Sequence, residues 1–266
     1  MENLLYHLVL VIATVVNMMI AIVLVHNNMW YRNYDIYHRS RFFTALNYAI
    51  FGVGFLLHSY FNLRTVWPAA ASALTISYFH CGGVLFSWSH IPLMRPDYLT
   101  KRIVIRDLTI LAIGIICYWT GAIIPFVNAA GDTNALHSKA LSGIPFIIFF
   151  LHATYIAYTF YRTYFQVRRN IERMPTGMNA PRWWTPETKS TVLDFQHSFV
   201  IGCHLIVLFG LGSVALTAAF PHDIWPYTIL SSTGSLVFIF IFYSLVEYGY
   251  IIESGTYATE DAGVNK

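Results

Sequence analysis

Residues Asn3–Val25 read NLLYHLVLVIATVVNMMIAIVLV, 23 residues without Asp, Glu, Lys or Arg. A helix needs about 20 apolar residues to cross the hydrocarbon core of a bilayer. Six more runs free of those four residues follow: Thr44–Leu63, Val66–Ser89, Leu108–Val127, Ala140–Tyr161, Ser198–Phe220 and Ile224–Val246. Each is long enough to cross. Barrel strands are shorter, about 10 residues, and alternate in polarity. In lipid, a helix satisfies its own backbone within one segment. The runs therefore predict an all-α polytopic membrane protein with seven transmembrane helices. Only Met1-Glu2 precede the first run, with no base, so that run reads as a membrane helix and not a cleavable signal peptide.

Composition agrees. Of 266 residues, 56% are hydrophobic and 11% charged, whereas soluble domains carry about 25% charged residues. So few charges argue against a soluble enzyme, a disordered chain or a secreted disulfide scaffold. The net charge of +3 is too small to argue for direct nucleic-acid binding. The basic residues are informative by position. Thirteen of the sixteen lie in the first, third and fifth connections. Positive-inside then places those connections in the cytoplasm, the N-terminus outside and the C-terminus inside. The second and sixth connections are very short, so spans 2 and 3, and spans 6 and 7, should be antiparallel neighbours. Residues 1–251 read as one seven-helix transmembrane domain and 252–266 as a short polar cytoplasmic tail without order.

Pro68, Pro125, Pro145 and Pro226 fall near the outer ends of spans 3, 4, 5 and 7. Proline is tolerated in first turns and at bends, and it would also serve helices splayed around an outward-facing pocket. Cys81, Cys117 and Cys203 lie inside spans with no CxxC pair, as small buried residues do.

Histidine is the unusual residue, with 11 copies. Ionisable groups at membrane depth usually face the bundle interior. At about 1.5 Å per residue, His80, His152 and His204 fall within roughly 7 Å of their span centres, all toward the basic side. They could share one layer as ligands of a haem or zinc. The competing reading is neutral histidines bonding to hydroxyls and carbonyls across helices. His58 lies roughly 7 Å to the other side of its span centre. No HExxH or HxxxH spacing occurs. No span carries a lysine, which excludes a retinal Schiff base. No carboxylate falls within a run, which weighs against a proton-coupled carrier and removes a common general base. The pair Arg106-Asp107 reads as a solvated interface pair. No catalytic constellation is legible.

Aromatic residues make up 17% of the chain, more than interfacial belts need. His58, Tyr78, Trp88, Trp119 and Tyr155 are the candidate ligand-binding residues. Trp183 and Trp184, in the long fifth connection, are the candidate output surface.

Gly54–Arg64 (GFLLHSYFNLR), Ser77–Arg102 (SYFHCGGVLFSWSHIPLMRPDYLTKR) and Phe242–Glu253 (FYSLVEYGYIIE) together resemble the N-terminal multi-helix membrane half of bacterial membrane-anchored AraC-type helix-turn-helix regulators. The helix-turn-helix effector domain itself does not follow here. The resemblance implies a bacterial cytoplasmic-membrane sensor that passes a signal through its last helix to a cytoplasmic effector protein. Three functions are thus expected in order: a sensory module with a small-molecule ligand, a haem- or metal-binding redox protein, and a small-molecule transporter or intramembrane enzyme.

Overall fold

The computed structural model describes residues 2–26, 35–128, 141, 143–173 and 186–264; side chains are described for these except at 186–188, 190–198, 248 and 250–264. Seven helices are long and apolar enough to cross a membrane. They are α1 (Glu2–His26), α2 (Asp35–Tyr60), α3 (Pro68–Met94), α4 (Lys101–Asn128), α5 (Gly143–Arg173), α6 (Pro186–Ala219) and α7 (Trp225–Val264). A single helical turn, Leu63–Val66, joins α2 to α3, and a 3₁₀ turn, Pro96–Tyr98, precedes α4. No strand occurs among the described residues.

Large apolar side chains remain exposed along the helices, among them Ile116, Leu151, Leu208 and Leu236. In water such surface would be a liability; against acyl chains it is the expected outer coat.

α3 is the hub. In its most apolar window 78% of residues are buried, against 17–44% in the other spans. It packs against α2, α4, α5 and α6, while α1 and α7 close the bundle beside α2 and α6. The expected neighbours α2/α3 and α6/α7 do pack together. Small residues make the hub approachable. Ala69, Ala70, Ala71, Ser72 and Ala73 are all buried in its first turns. A methyl group on Gly82 would lie 2.7 Å from the Phe51 ring, and one on Gly54 would lie 2.6 Å from the Tyr78 ring. Without a hydrophobic drive between helices in lipid, such close packing is what holds a bundle together.

Three of the four prolines sit where their missing N–H costs nothing. Pro68, Pro145 and Pro226 lie in the first turns of α3, α5 and α7. Pro125 lies inside α4.

Two sequence expectations are corrected. The polar segment expected to be without order is helical as far as Val264, because extending an existing helix costs little once its first turn is paid for by the span. And α4 begins at Lys101, seven residues before the apolar run at Leu108. Asp107 is therefore inside a helix and fully buried, not a solvated interface residue.

Candidate functional site

α3, α4 and α5 each contribute one face to a polar line through the apolar bundle. On α3, His80 and Trp88 are eight residues apart and share a face. On α4, Asp107, Gly114 and Tyr118 share one, at offsets of seven and four. On α5, His152 and Tyr155 are three apart. The Tyr118 hydroxyl lies 2.7 Å from His80 Nδ1. His80 Nε2 lies 2.7 Å from His152 Nδ1. His152 Nε2 points at the Asp107 carboxylate, 3.8 Å from Oδ1, and makes no hydrogen bond. Asp107 Oδ2 accepts from Trp88 Nε1 at 3.0 Å, and Oδ1 accepts from Arg106 Nε and Nη2 at 2.8 and 2.6 Å. Arg106 Nη1 donates to the Tyr155 hydroxyl at 2.6 Å, and its guanidinium lies over the Tyr155 ring at 4.7 Å.

The carboxylate gives this line a direction. An ionised Asp107 only accepts, so the facing His152 Nε2 carries hydrogen and Nδ1 is free to accept. His80 then donates from Nε2, and its Nδ1 accepts from Tyr118. This is an assignment from hydrogen-bond logic. The line covers about 18 Å along α4 from Arg106 to Tyr118, more than half of a hydrocarbon core. One end is buried at Tyr118; the other is at Arg106, whose side chain is 34% exposed.

Gly114 makes room for it. A methyl there would lie 2.9 Å from both His80 Nδ1 and the Tyr118 hydroxyl.

His80 has a second role as wall of an apolar cavity between α2, α3, α5, α6 and α7. Phe51, Phe79, Phe86, Phe149, Phe209 and Phe238 surround it, and Gly82, Gly83 and Gly210 thin its walls. Apart from His80, its polar lining residue is Asn47, whose Oδ1 is buried without a hydrogen-bond partner.

At the rim carrying the third and fifth connections, here the basic rim, Tyr155 enters a second pocket with Arg95, Asp97, Tyr98 and Arg162. Burial, and the Asp107 carboxylate nearby, push the Tyr98 phenol up from its ordinary value.

The sequence candidates distribute as follows. His80 and His152 come together; His204 does not join them. Its exposed ring packs on Tyr161 at 4.6 Å, and its Nδ1 faces the Val200 carbonyl one turn back. A metal shared by His80 and His152 would have to break the hydrogen bond between them. Among the described residues no group of three or more His, Cys, Asp or Glu is arranged to hold a metal ion. Trp88 and Tyr155 belong to the polar line. Tyr78 is buried among Phe51, Phe55 and Phe79. Trp119 is partly buried against the core. Trp183 and Trp184 lie outside the described residues.

His58 belongs to a separate cluster at the opposite rim. Its Nε2 lies 3.1 Å from the Thr75 hydroxyl. Beside it Arg64, 1% exposed, donates to Ser72, Thr75 and the Pro221 carbonyl. The Arg64 guanidinium stacks on the Tyr227 ring at 3.5 Å.

Sequence reasoning missed Asp107, Tyr118, Asn47 and Arg64 as site residues. The one available signal was the shared face of Asp107, Gly114 and Tyr118 on a helix begun early.

Comparison with known proteins returned no match: no family model, curated protein or solved structure matches this chain.

Proposed function

We propose that the chain is a membrane-embedded sensory module. A small lipid-soluble ligand enters the phenylalanine-lined cavity, and the polar line reports its presence at the basic rim. The observation that carries this reading is the double position of His80. It is both a wall of the cavity and a member of the hydrogen-bonded line. An occupant that shifts the His80 ring alters its 2.7 Å bond to His152, and with it the field at Asp107 and the Arg106–Tyr155 contact. Buried polar groups respond strongly because water does not screen them.

The finer parts of the reading rest on the sequence. Positive-inside makes the basic rim cytoplasmic, with the N-terminus outside. The resemblance to membrane-anchored AraC-type regulators supports a bacterial cytoplasmic membrane and output to a cytoplasmic effector. In this reading the module touches no nucleic acid itself.

The test uses Gly83, where an added methyl meets only Ile156, at 3.8 Å. Gly83→Leu projects into the cavity, about 60 Å³, from a wall where the first added carbon makes no clash. Delipidated protein is exposed to a membrane-lipid extract, washed, and its retained small molecules identified by mass spectrometry. The native protein should retain a compound that Gly83→Leu lacks, and that compound should change the Trp88 emission, identified by subtraction of a Trp88→Phe variant. Identical retention by both proteins, or an emission indifferent to the compound, would sink the reading.

A further inference from the structure

The cytoplasm-facing half of α5, as assigned above, presents arginines that form no ion pair among the described residues. Arg162, Arg169 and Arg173 stand at offsets of seven and four, so they share one stripe of the helix. All three are exposed. Among the described residues arginine pairs with a carboxylate at Arg106–Asp107 and Arg168–Glu172, and neither pair involves these arginines. Arg168, which points elsewhere, is already matched by Glu172 at 2.9 Å. The three arginines line a groove of about 650 Å³ together with Tyr158, Phe165 and Gln166. All the described residues that line it lie on α5, so its described wall is one face of that helix.

The groove does not stop at charge. Phe165 and Tyr158 within it are 51% and 60% exposed, and Leu151, two turns further into the membrane, is 70% exposed. The stripe therefore runs from guanidinium groups through interfacial aromatics to bare aliphatic surface. It matches a molecule with phosphate at one end and acyl chains at the other. Arginine suits phosphate because its planar fork offers paired N–H donors. Arg162 and Arg173 are about 16 Å apart along the helix, so more than one phosphate can be seated.

We propose that this groove is a binding site for an acidic phospholipid, each phosphate held between neighbouring arginines of the stripe, Arg169 and Arg173 foremost with Arg162 beyond them, and its chains lying on the outer face of α5. Positive-inside accounts for the rim on which arginines occur; it does not account for three on one stripe, unpaired, around a groove. The proposal is independent of the sensory reading, and neither the cavity nor the histidine pair enters it.

The test is native mass spectrometry of the full chain in detergent, titrated with short-chain phosphatidylglycerol or phosphatidylcholine. The double variant Arg169→Gln/Arg173→Gln is compared with Lys101→Gln/Arg102→Gln, which removes the same charge from exposed positions on the same rim. Phosphatidylglycerol should bind in preference to phosphatidylcholine. The groove double variant should weaken that binding about thirtyfold, from the usual worth of two basic residues near anionic lipid. The control pair should change it less than threefold, and both variants should keep the native helical circular dichroism. Inorganic phosphate at the same concentration should not displace the lipid. Equal binding of the two lipids, equal effects of the two double variants, or displacement by phosphate would each overturn the proposal, the last by showing a site for small anions.

Discussion

His80 Nε2 and His152 Nδ1 face each other at 2.7 Å across the α3–α5 interface, both rings buried. Each ring nitrogen in that contact has no other partner within reach. The pair therefore behaves as a unit in which neither member is cheaply removed.

His152→Leu leaves the His80 N–H buried and unbonded, which costs about 1–3 kcal/mol. Replacing both histidines with leucine removes donor and acceptor together, so the double variant should lose less than the sum of the singles. A double-mutant cycle by reversible unfolding in mixed micelles should give a coupling of about 0.5–3 kcal/mol. Strict additivity would mean the two rings do not interact.

Asp107 accepts from Trp88 and Arg106 and carries the only charge facing His152 on the described residues of α4. Asp107→Ala should destabilise by about 2 kcal/mol, below the range for fully buried pairs because Arg106 is partly exposed. Asp107→Asn keeps an oxygen for Trp88 and should cost less than half as much. The Trp88 contribution to fluorescence should shift in the alanine variant and stay near native in the asparagine variant. Equal losses for the two would show that charge, and not the acceptor oxygen, is what matters.

A methyl at Gly114 would meet His80 Nδ1 and the Tyr118 hydroxyl, both at 2.9 Å. Gly114→Ala should cost about 1–3 kcal/mol, as other overpacked interiors do. Gly83→Ala places its methyl in ordinary contact with Ile156, at 3.8 Å, and should be near neutral. Thermal unfolding of the two variants side by side settles the contrast.

Arg64 ties the α2–α3 connection to the Pro221 carbonyl beyond α6 and to the Tyr227 ring on α7. Arg64→Ala leaves that carbonyl and two hydroxyls short of a donor, an expected loss of about 2–4 kcal/mol. Arg64→Lys keeps the charge but not the planar stack, so it should recover only part. Full recovery by lysine, read in the same unfolding assay, would mean the ring contact contributes nothing.

The seven spans were legible because lipid imposes a length and a polarity that leave a plain mark on sequence. The polar line was only half legible. Counting rise along each helix put His80 and His152 at one depth, and they meet. The same count put His204 there too, yet its ring faces outward, because depth says nothing about which way a residue points around the helix axis. Asp107 escaped notice for a related reason. It stands just outside an apolar run, and only the early start of α4 and the packing of Trp88, Arg106 and His152 around it turn a rim position into a buried one. Arg64 falls between two apolar runs in the sequence, whereas the single turn at Leu63–Val66 folds it inward.

α3 combines two properties that pull against each other during synthesis. It is the most enclosed span, and its best window has a mean hydropathy of 1.3, the lowest of the seven, against 3.0 for α1. A segment with that many hydroxyl, histidine and glycine positions partitions weakly into lipid by itself. Its natural companion is α2, joined by a connection too short to leave the membrane surface. The pair is then the unit that the insertion machinery handles, with α1 already in place as anchor and α4 to α7 arriving to enclose what the first three helices have laid down. A glycosylation-mapping assay should find α3 integrated efficiently when preceded by α2 and poorly when presented alone.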